Sequence, residues 1–415
     1  MTTGAALKAW VRTGAAVAAL ALLGGGLYAG RELLGPGGGG PAATGQRLGP
    51  DPSRSAGSAP TARPFTLVAT GDIIPYPSIV QRSAADAEQA GTYDFRKILA
   101  GVKPIVSAAD LAVCHHEIPY GAPGGPYTGY PAFKAPHQLA DALKDAGYDS
   151  CSTASNHTLD DGWDGLVRTL DHLDRVGVRH VGSARSEQES KAPALLSAGG
   201  AAVAQLSYTY GTNGIPLPAD KPWSVNLIDG ERIIADARAA RAAGANVVVL
   251  SVHWGTEWQP APDRQQRELA ESLTASRGTD GLPDIDLVIG THNHVPQAYE
   301  KINGTWVVFG MGDQVASFVP VDKLRGNQSS IPRFTFSPSD THVGRWLVTK
   351  AEYLTQYSDM GPPFRVVCAS CAAGDAGGAD LSAAKRAEYT RIDQEVTAAV
   401  TARGAADQGL EHATR

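Results

Sequence analysis

Five short apolar runs punctuate the chain from Pro64 onward, and each stops on a residue that can hold a cation. "PFTLVATGD" ends at Asp72, "AADLAVCHHE" at Glu117 and "YDSCSTASNH" at Asn156 and His157. "NVVVLSVHWG" closes around His253, and "DIDLVIGTHNH" at His292 and His294. Short apolar runs bounded by Gly, Asp and Asn read as strands buried on both faces. Between them, apolar residues recur at three-and-four spacing in "HQLADALKDAG", "GWDGLVRTLDHLDRVG" and "GERIIADARAARAAG". Each of these ends in a glycine (Gly147, Gly177, Gly244), the signature of a helix with a C-terminal stop. Strands alternating with helices predict an α/β fold with a largely parallel sheet. In such sheets ligands gather beyond the carboxyl ends of the strands.

The last run poses the sharpest question, because His292 and His294 follow a buried strand with one residue between them. In extended chain, residues two apart project to the same side, so both imidazoles are expected to face one point. Each strand ending has an ordinary explanation on its own: a Gly-Asp turn, an asparagine cap, a core histidine bonded to a carbonyl. Five in order, mixing Asp, Glu, Asn and His, point instead to a metal centre. Its donors are oxygen and nitrogen with no thiolate. That suits one or two divalent ions (Mn, Fe, Zn or Co) and speaks against an iron–sulfur cluster or a cysteine-zinc site.

Composition alters this picture mainly at the ends. Thirty-six basic against 42 acidic residues give a net charge of −6, with no Lys/Arg-rich block, which argues against a nucleic-acid binder. Residues 1–30 carry Lys8 and Arg12 and then run uncharged from Gly14 to Gly30. This is expected to be an uncleaved single-pass membrane anchor that places the remainder outside the cell. A cleaved signal, giving a secreted protein, and an Ala-rich soluble helix are the alternatives. Residues 31–63 read as a Gly/Pro-rich disordered linker that would reach roughly 30 Å on average. A domain is expected over 64–355. A C-terminal extension follows over 356–415, with an exposed amphipathic helix at 380–403 and a frayed end. Cys114 and Cys151 read as small buried thiols. Cys368 and Cys371 have Cys-x-x-Cys spacing without a second pair, compatible with a local disulfide.

The ordered motifs "TGD", "DLAVCHHE", "FKAP", "SNHTLDDG", "SVHWGTEW" and "GTHNHVPQAYE" resemble the CapA, or poly-γ-glutamate capsule synthesis, proteins over about residues 64–355. These are relatives of the calcineurin-like metallophosphatases. The resemblance implies a four-layer α/β/β/α sandwich with a metal centre at the sheet edges. It places Asp72, Glu117, Asn156, His253, His292 and His294 on ligand positions, with Glu117 bridging. His292 would bind with Asn156 and His253, and His294 with Asp72. His157 falls on the proton-donor position, with Asp160 able to orient it. The chain also departs from the superfamily pattern. Ile74 stands where an opening histidine would be, and the usual Gly-Asn-Phe reads Gly312-Asp313-Gln314. His115, on the same side of an extended segment as Glu117, is a possible replacement ligand or simply a polar neighbour.

A metal cluster with open positions can lower the pKa of water and polarise a carbonyl or phosphoryl oxygen. Lys134 in "FKAP", Tyr210 and Asn213 in "SYTYGTN", and Glu257 with Trp258 are candidates to line a substrate pocket; ordinary surface or structural roles compete for each. No ATP-binding loop and no nucleophile elbow is visible. Three readings follow: a membrane-anchored, metal-dependent hydrolase or transferase of an anionic envelope polymer such as poly-γ-glutamate; a non-catalytic component of a capsule assembly or export complex; and a metal-assisted peptide epimerase.

Overall fold

The chain lays down half of one sheet, builds a second, and then returns to finish the first. Strands β1 (Phe65–Ile73), β2 (Leu111–His116), β3 (Ser150–Ser152) and β4 (Arg179–Val181) run parallel to one another. The second sheet follows, from β5 (Ala194–Ala198), β6 (Ala201–Thr209), β7 (Val247–His253), β8 (Leu287–Thr291), β9 (Tyr299–Ile302) and β10 (Thr305–Val308). Its order is β5-β6-β7-β8-β10-β9. The chain then re-enters the first sheet with β11 (Asp313–Val315), β12 (Gln328–Pro338), β13 (Trp346–Asp359), β14 (Arg365–Cys368) and β15 (Leu410–His412). That sheet reads β14-β13-β12-β1-β2-β3-β4, with β11 beside β1 and β15 beside β13. The computed structural model describes residues 62–373 and 381–415. The expected anchor at 14–30 and nearly all of the expected linker at 31–63 lie outside them. Among the described residues no helix is long and apolar enough to cross a membrane.

Three hydrophobic layers hold the sheets in place. Phe65, Leu67, Val203, Val247, Leu287 and Phe334 interleave between the two sheets. On the outer face of the first sheet, Ile79, Leu139, Leu143 and Leu173 bring in helices Pro77–Asp86, Gln138–Ala146 and Gly162–Val176. On the outer face of the second, Ile233, Ala237, Ala270 and Leu273 do the same for Gly230–Ala242 and Arg264–Ala275. The result is the expected order of helix, sheet, sheet, helix. β1 is buried on both faces, which is why "FTLVATGDI" is nearly continuous in apolar character. Gly71 has a different reason to be there: a Cβ would lie 1.7 Å from the Gly312 carbonyl oxygen, so only glycine lets β11 close onto β1. That closure sets Asp72 opposite Asp313.

Several expectations need correction. The boundary at 355 falls inside β13, because the end of β13, β14 and β15 complete the same sheet and do not form an appendage. The C-terminal helix spans Ala383–Val400 and buries Tyr389, Ile392, Val396 and Val400 in the layer between the sheets. The tail after it ends in β15, which pairs parallel to β13 instead of fraying. β3 is only three residues long, so Asn156 and His157 stand in the turn beyond it. Cys114 and Cys151 are not free thiols. They face each other in the β2–β3 register, with Cα atoms 4.4 Å apart, and form a disulfide. Such pairing depends on which strands become neighbours. Cys368 and Cys371 are also joined.

Candidate metal centre

The carboxyl ends of β1, β2, β7 and β8 converge on one buried point. Asp72, at the end of β1, is fully buried, and its Oδ2 accepts from the backbone N–H of His292 at 2.9 Å. Its Oδ1 has no hydrogen-bond partner and lies 3.6 Å from His115 Nε2 and 3.7 Å from His253 Nδ1. His115, in β2, is oriented by Ser152, whose Oγ is 2.7 Å from Nδ1; its Nε2 is left unpartnered. Glu117 follows directly, with both carboxylate oxygens buried and unpartnered and Oε1 4.0 Å from His253 Nε2. His253 closes β7. Its Nδ1 meets Thr291 Oγ1 at 2.9 Å and its Nε2 meets Asn156 Oδ1 at 2.8 Å. The His115 and His253 rings stack at 4.6 Å.

His292 and His294 reach the cluster by a route the alternation rule did not anticipate. β8 ends at Thr291, and both histidines are left-handed rather than extended, with φ of 92° and 58°. Positive φ is costly for a residue with a Cβ and tends to survive only where function holds it. The twist turns the His292 N–H onto Asp72, while its Nδ1 stays buried without a partner. His294 Nδ1 lies 3.0 and 3.1 Å from the two carboxylate oxygens of Asp313.

The charge balance is unfavourable without a cation. Burial, followed by the neighbouring Asp313 charge, pushes the Asp72 carboxyl well above its usual range; burial and then Asp72 do the same to Glu117. Burial holds His115 and His292 down to about 3, and likewise keeps His253 well below normal. His294 is the exception: burial opposes its charge, but Asp313 overrides it and raises the imidazole to about 10. Five polar atoms (Asp72 Oδ1, His115 Nε2, both Glu117 oxygens and His292 Nδ1) are buried with nothing to bond. At ~1–3 kcal/mol each they would cost roughly 5–15 kcal/mol, as much as a whole domain's stability. A divalent ion answers that deficit, and the donor set fits one. Ligand atoms of Asp72, His115 and His253 lie within 4.8 Å of one another, as do those of Asp72, Glu117 and His294. Asp72 is common to both triplets, and Glu117, the carboxylate expected to bridge, also reaches both groups, with Oε1 4.0 Å from His253 Nε2. His115, one of two readings in the sequence, is part of the cluster.

His157 stands at the edge of this group, its Nδ1 2.6 Å from Asp160 Oδ2. Asn213 links the rim together: its Oδ1 accepts from Asn156 Nδ2 at 3.2 Å and from the Tyr210 hydroxyl at 3.4 Å. Tyr210 is 41% exposed and its ring lies 4.5 Å from that of His292. Lys134 is not brought into the cluster; its Nζ is 3.5 Å from Asp161. Glu257 is exposed and accepts from the Trp258 indole at 3.3 Å, and the Trp258 ring packs 5.1 Å from His294. Asp313 was read only as a departure from a motif, yet it is fully buried against His294 and Asp72. Its place in "GMGD", a Gly-Asp like the Gly71-Asp72 near the end of β1, was the available signal.

Together, fold and site define a two-sheet α/β protein with a buried carboxylate–histidine cluster suited to a divalent cation. The chain belongs to the bacterial capsule synthesis protein family (PGA_cap), which it matches over residues 66–317. It is 27% identical over 234 residues to the PGA biosynthesis protein CapA of Bacillus subtilis (strain 168), covering 52% of this chain and 56% of that protein. It is 24% identical over 184 residues to the capsule biosynthesis protein CapA of Bacillus anthracis, covering 44% and 43%. The chain thus spans about half the length of the curated relatives it matches. Among solved structures, it resembles a putative 5′-nucleotidase from Staphylococcus aureus (TM-score 0.45, 14% identity, 80% of this chain and 58% of that one). It also resembles the calcineurin-like phosphoesterase YfkN from Bacillus subtilis (TM-score 0.43, 17% identity, 81% and 97%). At these scores neither likeness bears on activity.

Proposed function

We propose that this chain is a metal-dependent hydrolase or transferase of the cell envelope, acting on an anionic polymer such as a γ-linked glutamate chain. The observation that carries the reading is the set of five buried, unpartnered ligand atoms beside a His157–Asp160 pair. A bound divalent ion supplies positive charge that polarises a carbonyl oxygen and lowers the pKa of water. The protein's own groups supply the rest. Asp160 commits Nδ1 of His157, so Nε2 is the atom left to carry a proton to a leaving group. Asn213 fixes the Asn156 amide through its Nδ2, turning Oδ1 toward His253. Tyr210 is positioned to cover the open side of His292 and limit water. The polymer assignment is supported by the names of the capsule-synthesis relatives. Residues 14–30 would hold the protein at the membrane, where partners of a capsule-synthesis complex would meet it.

The test is metal analysis of the purified full-length protein, followed by a hydrolysis screen on γ-glutamyl peptides and phosphoesters. Release of glutamate that chelation abolishes and metal restores is the expected result. Stoichiometric metal without turnover on either substrate class would eliminate the hydrolase and leave a polymer-binding component.

A further inference from the structure

A cavity of about 760 Å³ opens where β7 and β8 begin, at the end of the second sheet away from the metal centre. The 7 residues of β7 separate it from His253, a strand length of roughly 20 Å. Four arginines line the cavity: Arg238 and Arg241 from helix Gly230–Ala242, Arg277 just beyond helix Arg264–Ala275, and Arg345 just before β13. The acidic lining residues are Asp280 and Asp284, and Asp286 pairs with both Arg241 and Arg345. Four guanidinium groups thus meet three carboxylates, a local positive excess in a chain whose net charge is −6.

The arginines are not equivalent. Arg241 and Arg345 have a structural role, because they hold Asp286 at the start of β8. Arg238 Nε donates to Asp284 at 3.0 Å, and Arg345 Nη1 to Asp280 at 2.6 Å. Arg277 pairs with no carboxylate among the described residues. Its Nη1 donates to the carbonyls of Thr274 and Ser276 at 2.5 and 3.1 Å, and its Nη2 to that of Asn303 at 2.6 Å. Those bonds fix the guanidinium plane and leave its charge unmatched. Arg345, with only 9% of its side chain exposed, also keeps Nε without a partner.

We propose that this cavity is a second binding site, separate from the metal centre, that holds the carboxylates of an anionic polymer without reacting with them. Guanidinium groups fixed in position present paired N–H donors that match a carboxylate. The volume lies within the range of small-ligand pockets. A chain held here and at the metal centre is tethered twice, which raises its effective concentration at the reacting end. Naming the polymer rests on the function proposed above; the arginine site itself does not.

The experiment measures binding of a fluorescently labelled γ-linked glutamate oligomer to purified full-length protein, with inorganic phosphate as a second probe. Saturable binding that weakens as salt rises is expected. Arg277→Gln is expected to weaken it at least tenfold, and Arg277→Lys, which keeps the charge without the fork, to weaken it less. Asp280→Asn removes a negative charge from the wall and is expected to tighten binding severalfold, a gain that a misfolded variant cannot give. Equal binding by the parent, Arg277→Gln and Asp280→Asn overturns the proposal, as does a parent that binds no oligomer. Phosphate bound as tightly as the oligomer would make this a site for small oxyanions and overturns the polymer assignment. Binding with these responses but no turnover removes only the hydrolase, whereas turnover indifferent to all three variants, with equal binding, removes only this site.

Discussion

His157 and His292 sit in one small volume and are asked to do different things. His157 is tied to Asp160 and contributes no ligand atom to either triplet, so His157→Ala should keep its metal while losing turnover by roughly 10²–10⁴-fold. His292→Ala removes an unpartnered buried nitrogen next to His253 and should reduce bound metal measurably. Metal retained in full by His292→Ala, in elemental analysis after gel filtration, would show that this ring is not a ligand. Much of the site was visible in the sequence because a ligand at the end of an apolar run needs no knowledge of tertiary structure. Asp313 was not visible in that way. Its role depends on β11 lying beside β1, a neighbour relation that spacing along the chain does not encode.

At the scale of elements, β2 shows what a strand with two buried faces entails. His115 looks into the metal centre, while His116 looks the other way into the helix-side layer, its ring 4.6 Å from Tyr120 and both nitrogens unpartnered. Burial holds His116 down to about 3. Because this lies below the ordinary value of about 6.5, the unfolded chain takes up the proton first as pH falls. The stability His116 permits is therefore whole above about pH 6.5 and is lost on the way to pH 3. His116→Phe should widen its stability advantage over the parent across that window, as read by chemical denaturation at a series of pH values. β8 begins with a second test. Asp286 accepts from the Val248 N–H at 2.7 Å and pairs with Arg241 and, at 3.2 Å, with Arg345. Asp286→Ala removes the carboxylate partner of the largely buried Arg241, while Arg345 keeps Asp280 at 2.6 Å, and should cost about 3–5 kcal/mol in denaturant unfolding. The parallel strands with helices between them were legible because their period and stops are local. The β12–β13 hairpin and the pair β9–β10 at the sheet edge were not, since strands of mixed polarity are defined by the neighbours they find.

At the scale of the whole molecule, the anchor proposed for residues 14–30 predicts a location. A C-terminal reporter is expected to be active outside the cell, with the protein sedimenting with membranes. Full-length protein recovered from the cytosol would remove both the anchor and the envelope polymer.

The return of the chain to its first sheet also has a consequence in time. β1 meets β12 only when Phe65 finds Phe336, after most of the protein has been synthesised. The second sheet is contiguous from Ala194 to Val308 and can pair as it emerges. Every candidate ligand lies at or before Asp313, yet β11, which carries that aspartate, is braced by Gln356 of β13. A nascent chain stopped near residue 320 would possess all its ligands and no frame to hold them. Such a fragment, isolated in the presence of the metals, is expected to retain none in stoichiometric amount. Metal loading would then be among the last steps in making this protein, and the compartment in which the chain finishes folding would decide which ions it receives.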